Sequence, residues 1–135
     1  MTPDELLRRE AEKWLRQAAK DRNAAQVLVG PEPSRSVFHS QQAAEKAVKG
    51  FLTYHQVPFR KTHNLTDLGS QCASVDPSLE RMLREVADLT DYASAFRYPD
   101  APYEPDADEA ARALATATEL CDEIRRRFEG VTGCN

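Results

Sequence analysis

Apolar residues recur every three or four positions through almost the whole chain, and short proline-containing segments interrupt this pattern. The spacing is that of amphipathic helices. Glycine occurs only five times in 135 residues, and the β-branched and aromatic runs typical of strands are sparse. At the start, Thr2 can cap a helix, Pro3 fits its first position, and Glu5 completes a capping box. The pattern therefore predicts an all-α chain.

The breaks in this pattern define five helical segments. Residues 30–33 (GPEP) end the first helix, and further helices are predicted over 34–55, 64–73, 77–95 and 106–129. Thr62 is the predicted cap of the short third helix, and Asp76 caps the fourth. Residues 96–105 contain three prolines and cannot form a continuous helix. Four long helices and one short one predict an antiparallel up-down helical bundle, a single domain over residues 1–135.

One carboxylate falls on a stripe that is otherwise apolar. Asp21 lies on the inward face predicted for the first helix, which comprises Leu7, Ala11, Trp14, Ala18, Ala25 and Leu28. A carboxylate at such a position is costly unless it is paired or exposed. We therefore expect a basic partner for Asp21, either from the second helix or from Arg97, and a structural rather than a catalytic role.

Composition excludes several classes of protein. The chain is 41% hydrophobic and 30% charged, which is typical of a globular protein. No apolar run approaches the roughly 20 residues of a membrane span, and the start lacks the apolar core of a secretory signal. Cys72, Cys121 and Cys134 are widely spaced and odd in number, so reduced thiols are expected. We expect a cytoplasmic protein with no membrane contact, metal or other cofactor.

Charge is divided unevenly along the chain. Residues 1–63 contain 11 Lys and Arg against 7 Asp and Glu, and residues 64–135 contain 7 against 15, within a net charge of −4. Steps of three and four place five residues without an acid on one side of the second helix: Arg35, His39, Gln42, Lys46 and Lys49. Such a ridge is either a phosphate-attracting surface or an ordinary solvated face whose charges are balanced by acids of neighbouring helices.

The loop after the second helix extends this positive charge. Arg60 and Lys61 can pair with a phosphate, and the start of the third helix adds free backbone N–H groups beside them. His63 can carry a proton, donate to a phosphate or make a structural hydrogen bond. Arg97 and Tyr98 lie either in a binding loop or against the core, with Arg97 then paired to a carboxylate.

Several segments, taken in order, resemble the prokaryotic HEPN domain. They are residues 42–52 (QAAEKAVKGFL), 61–65 (KTHNL) with Leu68, and 96–99 (FRYP), and the first-helix spacing of Ala18, Asp21 and Ala25 is similar to that family too. The resemblance implies a small, dimeric helical bundle, encoded in many cases beside a minimal nucleotidyltransferase with which it forms a toxin–antitoxin pair. It also implies binding of nucleotides or, in many members, cleavage of RNA.

One feature of the ribonuclease members of that family is missing. The resemblance implies that those members carry, on a late helix, an arginine and a histidine separated by four to six residues. In this sequence Arg97 is in a fitting place, but no histidine follows it. No residue is therefore predicted to be catalytic. The favoured hypothesis is a nucleotide- or RNA-phosphate-binding module, a homodimer with a nucleotidyltransferase partner. Its predicted phosphate-binding residues are Arg35, His39, Lys46, Lys49, Arg60, Lys61, His63, Arg97 and Tyr98.

Two alternatives stay open. One is a metal-independent ribonuclease toxin with a degenerate site built from Arg97, Tyr98 or His63. The other is a purely structural dimeric partner subunit, in which the uneven charge only guides assembly.

Overall fold

A computed structural model describes residues 1–94, 99–100 and 104–131 of the chain. These residues form five α-helices and one short 3₁₀ turn over Pro77–Leu79, and no strand is present among them. The prediction of an all-α fold with four long helices and a short one is confirmed. The helices are α1 (Pro3–Leu28), α2 (Pro33–Tyr54), α3 (Leu65–Val75), α4 (Glu80–Ser94) and α5 (Ala107–Val131).

Side-chain caps fix where the helices begin. The Thr2 hydroxyl accepts the N–H of Glu5 at 3.1 Å, as the capping box predicted. At α5, Asp106 Oδ1 accepts the N–H of Glu109 at 2.8 Å, and Glu109 Oε1 accepts the N–H of Asp106 at 3.1 Å. Asp76 accepts the N–H of Ser78 at 3.1 Å and starts the 3₁₀ turn that leads into α4. These bonds satisfy N–H groups that have no partner inside the helix.

The cap of α3 differs from the prediction. Asn64, not Thr62, caps this helix, because its side-chain oxygen accepts the N–H groups of Thr66 and Asp67 at 2.9 and 3.3 Å. Thr62 lies two residues earlier, and its hydroxyl accepts the N–H of Asn64 at 3.0 Å. Both residue types can cap, so the exact position of the first helical residue decides which one does.

Contacts between helices show their directions. Ser36, early in α2, donates to the carbonyl of Ala25, late in α1, at 2.7 Å. Tyr92, late in α4, donates to Glu109, early in α5, at 2.8 Å. Away from these connections, Gly50, late in α2, lies close to Ala11, early in α1, and Arg81, early in α4, donates to Glu119 in α5. The α1–α2 and α4–α5 pairs therefore run antiparallel, as predicted. Since α2 contacts all four other helices, it forms the centre of the bundle.

The core is built around α2. Six residues that recur along α2 at helical spacing are all buried: Val37, Gln41, Ala44, Val48, Phe51 and Leu52. On α1, however, Leu15 is buried, whereas Leu7, Trp14 and Leu28 are half-buried. Ala11, Ala18 and Ala25 of the predicted stripe are buried, so the stripe is partly confirmed and the inward face of α1 also includes Leu15. The two helices approach closely, because a side chain at Gly50 would begin 3.1 Å from both the Ala11 carbonyl and the Trp14 Cβ.

Candidate functional site

A buried carboxylate organises the most distinctive polar cluster of the bundle, the Glu45 cluster of Gln41, Glu45, Lys49 and His63. Glu45 lies on α2, and only 3% of its side chain is exposed. Its Oε2 accepts from Lys49 Nζ at 2.9 Å and from His63 Nδ1 at 2.9 Å, and its Oε1 accepts from the Gln41 amide at 3.4 Å. Three donors therefore compensate the desolvation of this carboxylate.

The His63 ring projects from this cluster into solvent, and 78% of its side chain is exposed. A carboxylate only accepts hydrogen bonds, so Nδ1 carries the proton shared with Glu45. In the neutral ring this leaves the Nε2 lone pair on the exposed side. His63 thus has one ring nitrogen held by the buried Glu45 carboxylate, and the other has no hydrogen-bond partner among the residues that the structure describes.

Aromatic side chains cover the inner side of the cluster. Lys49 Nζ lies 5.5 Å from the centroid of the Trp14 ring, which is a cation–π distance. Phe59, in the loop after α2, meets Trp14 edge to face with centroids 6.3 Å apart. The loop is therefore attached to the bundle at Phe59 and again at His63.

A second carboxylate forms a separate Asp21 cluster between α1 and α2. Asp21 Oδ1 accepts from His39 Nδ1 at 2.8 Å, and Oδ2 accepts from Lys46 Nζ at 2.5 Å. The Asp21 side chain is only 12% exposed. The expectation that a basic partner from the second helix pairs with Asp21 is confirmed, and it is met by two partners at once.

The loop 58–62 and one face of α3 flank an open cleft of about 650 Å³, the α3 cleft. Arg60 and Thr62 line it, whereas Lys61 and His63 do not. Alternate residues of the loop therefore contact different parts of the surface, and His63 contacts Glu45 on α2 instead of the cleft. Arg60 and Lys61 are exposed, and neither has an ion-pair partner within the described ranges. The lining residues are Pro58, Phe59, Arg60, Thr62, Asp67, Ser70 and Gln71.

The predicted phosphate-binding residues are therefore distributed over several places rather than gathered in one pocket. His39 and Lys46 belong to the Asp21 cluster, and Lys49 and His63 to the Glu45 cluster. Arg60 lines the α3 cleft, and Arg35 is exposed on the first turns of α2. Arg97 and Tyr98 lie outside the described residues.

Sequence reasoning did not single out Glu45, although it anchors two of the predicted residues. A signal was present: Glu45 follows Gln41 by four residues and precedes Val48 by three, which is the spacing of the α2 core stripe. This spacing indicates for Glu45 what it indicates for Asp21: a carboxylate at an inward position requires hydrogen-bond donors from neighbouring elements.

A further ion cluster ties the 3₁₀ turn to α5. Arg127 donates to Asp76 Oδ2 at 2.7 Å and to the Ser78 hydroxyl at 2.8 Å, and it also contacts Glu123. Hydrogen bonds from the Ser78 hydroxyl and from Arg127 lower the pKa of Asp76 below its ordinary value. Because Arg127 joins the 3₁₀ turn to the end of α5 through these ion pairs and hydrogen bonds, we interpret this cluster as structural.

Cys72 and Cys121, the two cysteines that the structure describes, are both buried as free thiols. Burial raises the pKa of the Cys72 and Cys121 thiols to about 12, so both are protonated and unreactive at neutral pH. Among the residues that the structure describes, no three His, Cys, Asp or Glu side chains lie close enough to hold a metal ion. Nor does any helix in that part of the chain have the length and apolarity needed to cross a bilayer.

The fold and the clusters define an all-helical bundle in which α1 and α2 each carry a charge-paired carboxylate with little exposure, and in which the loop after α2 presents cations that have no ion-pair partner in the described part of the chain. The chain belongs to the HEPN domain family, whose model matches residues 11–127. This membership supports a nucleotide- or RNA-related module in general, and HEPN domains commonly dimerise. No match was found among curated proteins or among solved structures.

Proposed function

We propose that this chain is a HEPN-type module that binds the phosphate of a nucleotide or of RNA on the loop after α2. One contrast carries the proposal. Lys46 and Lys49 are each paired with a carboxylate, whereas Arg60 and Lys61 have no such partner in the described parts of the chain. Unpaired exposed cations next to a histidine with a free ring nitrogen suit a phosphate, which offers several acceptor oxygens.

The buried clusters have a supporting role in this proposal. Glu45 holds His63 through Nδ1, so the loop that carries Arg60 and Lys61 keeps a defined position before ligand binding. A preformed loop loses less conformational freedom on binding and therefore binds more tightly. Arg35 is exposed on α2 and stays a predicted contributor to the positive surface. His39 and Lys46 are engaged by Asp21, and Lys49 acts indirectly by neutralising Glu45. Arg97 and Tyr98 stay predicted contributors to the same surface.

The binding experiment uses calorimetry with ATP and with a short single-stranded RNA at low and at physiological salt. The Arg60→Ala/Lys61→Ala variant is expected to bind at least about tenfold more weakly, since each lost charged hydrogen bond costs about 1.5–3 kcal/mol. Its affinity should also depend less on salt, because fewer counterions are displaced. Arg112→Ala on α5 is the matched control, being exposed and remote from the loop. Unchanged affinity in the double variant contradicts the proposal.

We further propose that the chain acts in the cytoplasm as a homodimer, beside a minimal nucleotidyltransferase in a toxin–antitoxin-like pair. The dimerisation common among HEPN domains supports the first part. Light scattering of the purified chain measures its mass in solution. Co-expression with the product of an adjacent nucleotidyltransferase reading frame tests for a complex, and the absence of any such neighbouring frame contradicts the second part.

The geometry of His63 also favours a second candidate, ribonuclease activity. A buried carboxylate that holds Nδ1–H and leaves Nε2 free is the arrangement of a histidine general base. The assay is cleavage of a labelled RNA without added metal, comparing the wild type with His63→Asn. Cleavage that disappears in the variant supports this candidate, and a silent wild type eliminates it.

A further inference from the structure

The outer face of α1 carries cations that the proposed phosphate site does not use. Steps of four, three and four place four exposed basic residues on one side of this helix, opposite the core-facing Ala11, Leu15 and Ala18. They extend over about 16 Å of the helix axis. We call them the α1 ridge: Arg9, Lys13, Arg16 and Lys20.

Neighbouring acids leave most of this charge uncompensated. Glu10 pairs with Lys13 at 3.1 Å, but both side chains are more than half exposed. Arg9, Arg16 and Lys20 have no ion-pair partner among the described residues. The ridge therefore attracts a negatively charged partner.

Apolar side chains lie at both ends of the ridge. Leu6 is 51% exposed and Val27 is 72% exposed, and they continue the same helical face, three residues before Arg9 and seven after Lys20. An RNA backbone offers these side chains no apolar contact, whereas a protein surface does. The face is therefore better suited to an acidic protein surface than to RNA.

The same chain carries a surface of opposite charge. Tyr92, late in α4, donates to Glu109, early in α5, so exposed acids of these two segments lie near one another. None of these acids has an ion-pair partner in the described part of the chain. Arg112 lines a small cleft beside one of them, which leaves the surface net negative. We call it the acidic end: Asp88, Asp91, Asp106 and Asp108.

The two surfaces do not meet within one molecule. The ridge points away from the core on α1, which packs on α2 and α5, whereas α4 packs on α2, α3 and α5. No ion pair joins the α1 ridge to the acidic end within the described ranges. A second copy of the chain, however, has an acidic end that matches the ridge in sign and in number of charges.

We propose that the α1 ridge docks on the acidic end of a second copy of this chain. The contact joins unlike surfaces and is therefore heterologous, so each bound pair keeps one unused ridge and one unused acidic end. Assembly continues beyond two chains, which distinguishes this contact from a two-fold homodimer. Exposed ion pairs supply orientation and salt dependence, and Leu6 and Val27 add apolar contact.

Light scattering over a range of protein concentrations measures the mass of the full chain. At about 10 mM salt, where charges act over about 30 Å, the mass should rise with concentration above that of a dimer. The rise should be smaller at about 0.15 M and absent at about 1 M, where the screening length is about 3 Å. A mass that never exceeds that of a dimer at low salt overturns the proposal.

Charge reversal tests the ridge itself. Arg9→Glu/Arg16→Glu/Lys20→Glu should weaken association at least about tenfold, because three attractive contacts become repulsive. The three positions are exposed and glutamate is a good helix former, so circular dichroism should show an unchanged fold. A ridge variant that assembles like the wild type overturns the proposal.

A control variant separates the ridge from net charge. Lys61→Glu/Arg125→Glu/Arg126→Glu changes net charge by the same amount at exposed positions outside the ridge, and it should assemble like the wild type. Equal losses of assembly in the control and in the ridge variant refute a specific ridge contact.

The complementary variant tests the acidic end. Asp88→Lys/Asp91→Lys/Asp108→Lys should not assemble alone, because its ridge then meets a positive surface. Mixed with the ridge variant at low salt, it should recover a mass above that of a dimer, since each reversed surface meets its opposite. A mixture that stays unassembled contradicts the proposed pairing.

Binding measurements on the same variants separate this inference from phosphate binding. Loss of assembly in the ridge variant with unchanged affinity for ATP supports the proposal, because the ridge lies outside the loop after α2. If the ridge variant instead binds RNA more weakly and assembles like the wild type, the ridge is a nucleic-acid surface and the proposal is refuted.

Discussion

Replacing Lys49 by Met tests the central claim about the Glu45 cluster, namely that the carboxylate is tolerated in the core because it is paired. Lys49 Nζ lies 2.9 Å from Glu45 Oε2, and the two side chains are only 9% and 3% exposed. Met preserves most of the aliphatic chain that packs near Trp14, so the change removes the ammonium with little loss of volume. Glu45 is then left with His63 and Gln41 as its donors.

The expected loss of unfolding free energy is about 3 kcal/mol. Removing one member of a buried ion pair generally costs about 3–5 kcal/mol, because the remaining charge is uncompensated. The low end applies here because the carboxylate keeps the His63 and Gln41 hydrogen bonds. With a urea m-value of about 2 kcal/mol per molar, the unfolding midpoint should fall by about 1.5 M.

Two further variants make this test decisive. Glu45→Gln/Lys49→Met removes both charges, so it should be more stable than Lys49→Met alone, whereas independent effects would make it less stable. Glu85→Gln breaks the exposed pair with Arg81 and should change stability by about 0.5 kcal/mol or less. A loss below about 1 kcal/mol in Lys49→Met, or a double variant less stable than the single one, would refute the reasoning.

Three other perturbations have defined outcomes. Asp21→Asn weakens two charged hydrogen bonds in a partly buried site, so urea denaturation should show a loss of about 1–3 kcal/mol, against almost none for Asp91→Asn. Gly50→Ala should lower stability by about 1 kcal/mol, since overpacking against rigid backbone exceeds the gain in helix propensity, whereas Gly30→Ala meets no atom within 4 Å and should not destabilise. The lowered pKa of Asp76 means that its contribution is present above the unfolded value of about 3.9 and is lost as pH falls through the folded pKa, so Asp76→Asn should flatten the acid side of the stability–pH curve below about pH 4.

The sequence predicted the helices well because their ends depend on local chemistry. Thr2 and Asp76 cap as predicted, Thr2 at the start of α1 and Asp76 at the 3₁₀ turn that leads into α4. Helix α5 begins within one residue of its predicted start at residue 106. At α3, two adjacent capping types compete within three residues, and Asn64 replaces Thr62. Thr and Asn have similar preferences for the cap position, so the sequence does not show which of the two caps α3. That choice depends on the position of the loop, which contacts the bundle at Phe59 and His63.

The candidate site was less predictable, because it depends on which side each residue faces. Steps of three and four placed His39, Lys46 and Lys49 on one ridge of α2, and the structure keeps them on that helix. Spacing could not show that Asp21, 25 residues before Lys46, neutralises it, or that His63, 18 residues after Glu45, reaches back to that carboxylate. The prediction that Asp21 is paired is confirmed, because a buried charge requires a partner whichever residue supplies it.

The all-α bundle, most of its helix ends and the inward face of α2 follow from interactions within a few residues, so the sequence alone predicts them. It also determined that Asp21 needed a partner, and the order of its segments pointed to the HEPN family. Which cations lack an ion-pair partner among the described residues depends on contacts between α1, α2 and the loop after α2, and spacing along the chain does not show these contacts. In the folded chain Asp21 neutralises Lys46, Glu45 neutralises Lys49 and holds His63, and Arg60 lines the α3 cleft.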